Sequence, residues 1–329
     1  MSYIRSTTPG VIRYTCGRYS RTDIINCQTI VARDLNDSGI SIDNLKNSIL
    51  VLDFLAEGHD PQVIQPLINY LSSLIGIDRI RVLFNAVVNL HNLDYRAKSF
   101  VTHFTTWDGR FVNTGDQSRV QLEQKFLCLA RRPTPGRAQF VSQLLAKVPS
   151  VRASFGSGFP EWSQEFQSYF PNHNLPILFD GDARQYVHNQ ASDAFRTCLF
   201  NIVLETSSQT DPNSWNSVFI TEKTFKCFDL YQIPVWFAVP GTVDQVRRLG
   251  FDLFEDLIDH SYDAEMDPIL RTNMVIEQIE KLNNLYSLEH CQQLRIDLWT
   301  RLQNNYQLLD QLSKNYTCTH DQLVAELIK

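Results

Sequence analysis

No stretch of this sequence is apolar for long enough to cross a bilayer; the longest runs, such as 49–55 and 233–240, have only the length of a strand. The opening MSYIRSTTPGVIRYTCGRYSR lacks the apolar core that a secretory signal needs, so a cytosolic chain with no membrane contact is expected. Cysteine is sparse and unpatterned. The seven, at 16, 27, 128, 198, 227, 291 and 318, form no CxxC pair and have no histidine cluster beside them. That excludes a disulfide framework and fits reduced thiols used as core fillers. Internal repeats and low-complexity segments are also missing. What is present is ordinary globular material: 329 residues, 43% hydrophobic and 20% charged. A chain of that length exceeds one core, so two domains are expected.

Charge is uneven. Residues 1–180 carry 18 Lys+Arg against 15 Asp+Glu, and residues 181–329 carry 12 against 21. The mildly basic first part leaves room for an anionic ligand, while the overall charge of −6 argues against a DNA-coating protein.

Strand-like and helix-like segments alternate. Residues 47–55 (NSILVLDFL) read as a strand and 62–74 as a helix, with Val63, Leu67, Leu71 and Leu74 on one face; 80–88 reads as the next strand. That is a β-α-β unit, the building block of parallel sheets. Residues 90–120 are polar and turn-rich, which puts a domain boundary near 120, giving domains 1–120 and 121–329. The second domain opens with strand 125–130, loop 131–136, helix 137–147 and strand 151–155; further strands are expected at 175–179, 198–205 and 233–238. From Asp267-Pro268, an N-cap followed by proline at the first helical position, the chain reads as helical. Its stripes Val275, Ile279, Leu282, Tyr286 and Cys291, Leu294, Leu298, Leu302 are packing faces.

The segment 201–263 carries the chemistry. A buried strand ends in Glu205, a polar loop follows, and Thr221 reads as the N-cap of a helix that starts Glu222-Lys223. A helix N-terminus at the carboxyl ends of parallel strands can hold an anion. Lys223 and Lys226, three apart, reach one side of it, and Glu222 can accept hydrogen bonds from sugar hydroxyls. The same Glu222 and Lys226, four apart, equally suit a surface ion pair.

The order Leu204-Glu205, Phe219-Ile220-Thr221-Glu222-Lys223 and Gln232-Ile233-Pro234-Val235 resembles the donor segment of the α-1,3-fucosyltransferases. The resemblance extends to a group of glycosyltransferase-like sequences common in bacterial viruses (bacteriophages) and some bacteria. Those share TEKTFK (221–226), a Pro240-Gly241 turn, an L-R-x-x-G-F-x-x-F stretch (here 246–254, VRRLGFDLF, with Val246 for the leucine) and an ending like Asp259-His260-Ser261-Tyr262-Asp263. Upstream, 125–129, Pro135-Gly136-Arg137 and Phe155-Gly156 resemble the fucosyltransferase strand–loop–Arg–helix unit. The resemblance implies an α/β, GT-B-like fold of two Rossmann-like domains with parallel sheets, the helical segment closing the second. It implies a GDP- or UDP-sugar donor with Arg137 on its diphosphate; Gly156, Glu205, Thr221, Glu222, Lys223 and Lys226 complete the candidate donor site, while Arg131 and Arg132 either assist or are solvated loop charges. It also implies an inverting, metal-independent transfer, with a first-domain carboxylate as base and cations on the leaving diphosphate.

The residues leave that base open among Asp53, Glu57, Asp94 and Asp108; Glu57, beside His59 and just past the first strong strand, and Asp53 are the favoured catalytic candidates. Asp180-Gly181-Asp182 offers a different design, a DxD metal site of GT-A type, and DGD is also common turn chemistry. Arg13-Tyr14, Arg18-Tyr19 and Arg21 interleave cations with aromatics, as would suit an acceptor such as hydroxymethylated bases of viral DNA in a host cytoplasm. The other acceptor is a glycan, and a catalytically inactive binding module of the same fold is the remaining alternative. Oligomeric state is not legible.

Overall fold

The computed structural model describes residues 3–8, 10–15, 27–54, 61–84, 87–88, 93, 95–99, 117–157, 159–177, 192–205 and 217–329. In chain order the elements are β1 (Tyr3–Thr8), β2 (Val11–Thr15), α1 (Cys27–Ser38), α2 (Ile42–Lys46), β3 (Ile49–Phe54), α3 (Pro61–Ile75), β4 (Ile80–Phe84), β5 (Val87–Val88) and β6 (Arg96–Ser99). Next come β7 (Gln124–Ala130), α4 (Pro135–Lys147), β8 (Arg152–Phe155), α5 (Pro160–Ser163), α6 (Ser192–Arg196), β9 (Cys198–Leu204), β10 (Ser217–Val218), α7 (Glu222–Asp229) and β11 (Ile233–Phe237). The chain continues with α8 (Thr242–Arg248), α9 (Pro268–Leu285), α10 (Leu288–Asp297) and α11 (Trp299–Ile328). No helix among the described residues is long and apolar enough to cross a membrane.

The chain forms two compact units. One comprises residues 1–102, 213–219 and 314–329, the other 103–212 and 220–313. The linear division expected at 120 therefore changes: the break falls at 102, and two later stretches return to the first unit. The reason is pairing. Ser217–Val218 lies antiparallel to Val87–Val88, and the last turns of α11 pack where β4 needs a partner, as described next.

The sheet of the first unit runs β1-β2-β3-β4-β6, with β1 antiparallel to β2 and every later pair parallel. Period-two alternation sorts β3 into two faces. Leu50, Leu52 and Phe54 join Ile64, Leu67, Ile68 and Leu71 of α3 and Val31 and Leu35 of α1 in one core. Val51, Asp53, Arg81 and Leu83 alternate with those residues and belong to the opposite face. There Arg81 sends Nε to the Leu327 carbonyl at 2.8 Å and Nη1 to the Asp78 carbonyl at 2.6 Å, so the end of α11 covers a buried cation. The expected strand 80–88 is divided because its two parts serve different sheets, β4 in the main sheet and β5 in the pair with β10.

The second unit is a four-stranded, wholly parallel sheet in the order β11-β9-β7-β8. In chain order these are strands one (β7), two (β8), three (β9) and four (β11), so the spatial order is 2-1-3-4. This is a doubly wound arrangement. The connection after β7 leads one way and the connection after β9 leads the other, which makes the gap between their carboxyl ends the topological switch point. Asp267 caps α9 by accepting from the Ile269 and Leu270 amides, and Pro268 follows at its first position, as the sequence predicts. Val275, Ile279 and Leu282 are buried, as are Cys291, Leu298 and Leu302. The expected strand 175–179 reduces to one antiparallel bridge, Phe155 with Ile177, and 178–179 lie outside the described residues.

Two residues of the cation–aromatic stretch are structural. Tyr14 is 1% exposed and donates its hydroxyl to Asp34 Oδ2 at 2.8 Å; Arg13 pairs with Asp53. Neither is an open stacking surface, while Arg18, Tyr19 and Arg21 lie outside the described residues. Replacing Tyr14 with Phe leaves a buried carboxylate short of one donor and is expected to destabilise the chain by about 1–3 kcal/mol, read as a lower urea midpoint.

Candidate functional site

Glu205 follows β9 at the switch point and is completely buried. Such a carboxylate has to be satisfied internally, and the start of α7 does so. Its Oε1 accepts from the Thr221 amide at 3.1 Å and from the Thr224 hydroxyl at 2.7 Å. Its Oε2 accepts from the Thr221 hydroxyl at 2.5 Å. The Lys223 ammonium stands 3.9 Å from that same oxygen and 4.0 Å from Glu222 Oε1.

Thr221 is the N-cap, as the sequence predicts. A hydroxyl has one proton and two acceptor positions. Here the proton goes to Glu205, and the lone pairs take the Lys223 amide at 3.3 Å and the Lys223 Nζ at 2.9 Å. The Lys223 side chain is thus folded back over the helix start. Glu222 and Lys226 are half-buried on the same helix.

Arg137 reaches Glu205 from the other side of the switch point. Thr134 caps α4, Pro135 takes the first helical position, and Arg137 is third. The residue is 5% exposed. It donates Nη2 to the Leu204 and Glu205 carbonyls at 3.2 and 2.9 Å and Nη1 to the Arg132 carbonyl at 3.1 Å. Its Nε is buried without a partner. Burial lowers the Arg137 pKa, and the nearby Glu205 charge opposes that. The structure therefore brings Arg137 and Lys223 to one residue, the first to its backbone and the second to its carboxylate. Arg131 and Arg132 are exposed in the loop before α4.

Gly156 has a structural reason to be glycine. Its φ is +74°, its amide donates to the Ala130 carbonyl at 2.8 Å, and an added Cβ would sit 2.3 Å from Ser163 Cβ.

Sequence reasoning missed Thr224 and Trp236. Thr224 passes its proton to Glu205 and accepts from Trp236 Nε1 at 3.0 Å. The spacing of three from Thr221, which puts both hydroxyls on one helix face, is the signal that finds it. The later motif stretches are scaffold. Phe251 stacks on Phe228 of α7 with centroids 4.2 Å apart. Asp263 accepts from the Val243 and Asp244 amides, both at 3.0 Å, capping α8 where Gly241 has no side chain to offer. His260 sends Nε2 to the Leu253 carbonyl at 3.0 Å, so Nε2 carries the proton and Nδ1 accepts from the Tyr262 hydroxyl at 2.8 Å. The Tyr262 oxygen in turn accepts from the Trp236 amide at 3.3 Å.

Asp53 lies in the first unit, wholly buried, with Arg13 Nε donating to its Oδ2 at 2.6 Å and Nη2 on the same oxygen. This is the geometry of a structural ion pair. Glu57, His59, Asp94, Asp108, Asp180 and Asp182 lie outside the described residues. Among the described residues, no group of His, Cys, Asp or Glu is placed to hold a metal ion.

No family model matches this chain, and no curated protein matches it either. Solved structures that resemble it loosely include two synthases. A trehalose-6-phosphate synthase, OtsA, overlaps with a TM-score of 0.46 and 11% identity, over 93% of this chain and 78% of that one. The alpha,alpha-trehalose 6-phosphate synthase from Burkholderia multivorans overlaps with a TM-score of 0.42 and 10% identity, again over 93% and 78%. At these values the likeness decides neither fold family nor function.

Thr224→Val keeps the shape but strands Trp236 Nε1 and removes one donor from Glu205. It is expected to cost about 2–5 kcal/mol in a denaturant melt, the sum of two unsatisfied buried groups. A pH effect is also expected. Burial holds the His260 pKa below its usual 6.5. The folded state therefore favours the neutral ring, and stability is fully present above pH 6.5 and declines as pH falls from there toward the depressed value. Thermal unfolding between pH 7.5 and 5 checks this, and His260→Gln should flatten that part of the curve.

Proposed function

We infer that this chain is a glycosyltransferase that takes a sugar from a nucleotide-sugar donor, with the second unit holding the donor. The observation that carries this reading is the meeting of Arg137 and Lys223 at Glu205. The two cations leave from the first turns of helices that follow adjacent parallel strands, on the two sides of a switch point, where α/β sheets bind nucleotides. The fucosyltransferase-like order of Glu205, Thr221, Glu222, Lys223 and Gln232 to Val235 supports the same assignment, and with it a GT-B arrangement.

In this reading the leaving group is the nucleoside diphosphate. Departure of the sugar places a developing negative charge on the diphosphate oxygen. Lys223, on a helix N-terminus, and Arg137, whose Nε is still unpartnered, supply the compensating positive charge. Fixed cations then do the work that a divalent ion does elsewhere, which makes the transfer metal-independent. Glu222 is assigned to sugar or ribose hydroxyls. The acceptor hydroxyl loses its proton to a carboxylate of the first unit, for which Glu57 is proposed over Asp53, because Asp53 is already committed to Arg13. A glycan or other small hydroxyl compound is the proposed acceptor, since Arg13 and Tyr14 are built into the first unit rather than displayed for bases.

Release of nucleoside diphosphate from GDP- and UDP-sugars, with and without EDTA, tests the proposal. Turnover unaffected by EDTA is expected from the wild type. Lys223→Ala should lower kcat by about 100-fold or more with only a modest fall in unfolding temperature, because the side chain is 30% exposed and the Thr221 amide and the two threonine hydroxyls still hold Glu205. Full inhibition by EDTA would move the chemistry to Asp180 and Asp182; no turnover and no stabilisation by any nucleoside diphosphate would leave a non-enzymatic module.

A further inference from the structure

The second unit has an aromatic feature that the two cations do not account for. Residues 159–173 hold six rings in a short span. The inner ones anchor the segment: Phe170 packs on Phe155 at 4.8 Å and Phe166 meets Phe155 edge-on at 6.0 Å. The outer pair is different. Phe159 and Trp162 stack with centroids 4.8 Å apart and planes 12° apart, yet Trp162 is 47% exposed. The core does not need this pair, and an indole left half in water is poorly placed for stability alone.

Its position is tightly held. Gly156 bonds to the last residue of β7, and the close approach of Ser163 to Gly156 pins α5 against the end of β8. The Phe159 amide donates to the Gly156 carbonyl at 3.0 Å and the Trp162 amide to the Phe159 carbonyl at 3.1 Å. The stacked rings therefore stand at the carboxyl end of strand two, next to strand one, whose helix carries Arg137 in its first turn. In doubly wound sheets the phosphates sit at the switch point and the nucleoside end reaches the loop after strand two.

We propose that Phe159 and Trp162 form the platform on which the base of the donor nucleotide stacks. This rests on the donor reading given above and adds the subsite for the nucleoside. Stacking uses the π-face that every base has, so the platform supplies affinity with little choice among bases.

Calorimetric titration of the full chain with GDP, UDP and inorganic pyrophosphate tests it, because pyrophosphate has the charge without the base. Both nucleotides should bind the wild type more tightly than pyrophosphate does. Trp162→Ala should weaken both nucleotides by about tenfold or more and leave pyrophosphate unchanged, and Trp162→Phe should restore most of the loss. Unchanged nucleotide binding in Trp162→Ala overturns the platform while the diphosphate site stands. Equal weakening of nucleotides and pyrophosphate also overturns it, since that reports damage to the fold. If the wild type binds none of the three, the donor reading fails and the platform with it.

Discussion

The second unit is organised around one buried negative charge. Burying a carboxylate is costly unless it is bonded, and Glu205 meets that demand with an amide, two hydroxyls and a nearby ammonium, all from a single turn of α7. The requirement acts in both directions. The carboxylate needs the helix start, and the helix start, which would otherwise carry unsatisfied donors, needs the carboxylate. Strand β9 and helix α7 are thereby locked end to end although the chain between them runs through residues 206–216. Arg137 adds a second clamp on the carbonyls of the same strand end, so both cations are held to the same few atoms.

Rigidity spreads outward from this point through directional hydrogen bonds. The proton given by Thr224 to Glu205 is possible because Trp236 Nε1 occupies the acceptor side of the hydroxyl. Trp236 is fixed by Tyr262, and Tyr262 by a neutral His260. A single tautomer satisfies every member. Stretches far along the chain, at 251–254 and 259–263, are thereby tied to the Thr-Glu-Lys segment: they pack against α7, cap α8 and orient the tryptophan behind it.

Much of this is readable in the sequence, and the failures have physical causes. Apolar runs and helical spacing locate β3, α3, β7, α4, β9 and β11 to within a residue or two, because strands such as β3, β9 and β11 are buried on both faces and so read as continuous apolar stretches. Thr221 and Asp267 with Pro268 mark helix starts through local chemistry alone, whereas Thr134 and Pro135, read as loop, are the cap and first position of α4. The division of 80–88 into β4 and β5 was not legible, since pairing with Ser217–Val218 is a long-range event with no local trace. For the same reason the linear boundary at 120 misses the return of 213–219 and 314–329. In the site, residue types pointed to Lys223 and Arg137, but not to the way Arg137 spends its donors on carbonyls, because a backbone acceptor has no sequence signature. Asp53 read as a strand-end carboxylate; only the register, which sets β2 beside β3, reveals its partner Arg13.

The continuation of α11 into the first unit has a consequence for biogenesis. Arg81 waits for a carbonyl 246 residues further on, so the unit that is synthesised first has to remain open until residues 314–329 have emerged, whereas the second unit has all its strands by Phe237. Vectorial synthesis thus brings the two units to completion close together, at residues 313 and 329, and Arg81 gains the Leu327 carbonyl only when the last residues have emerged.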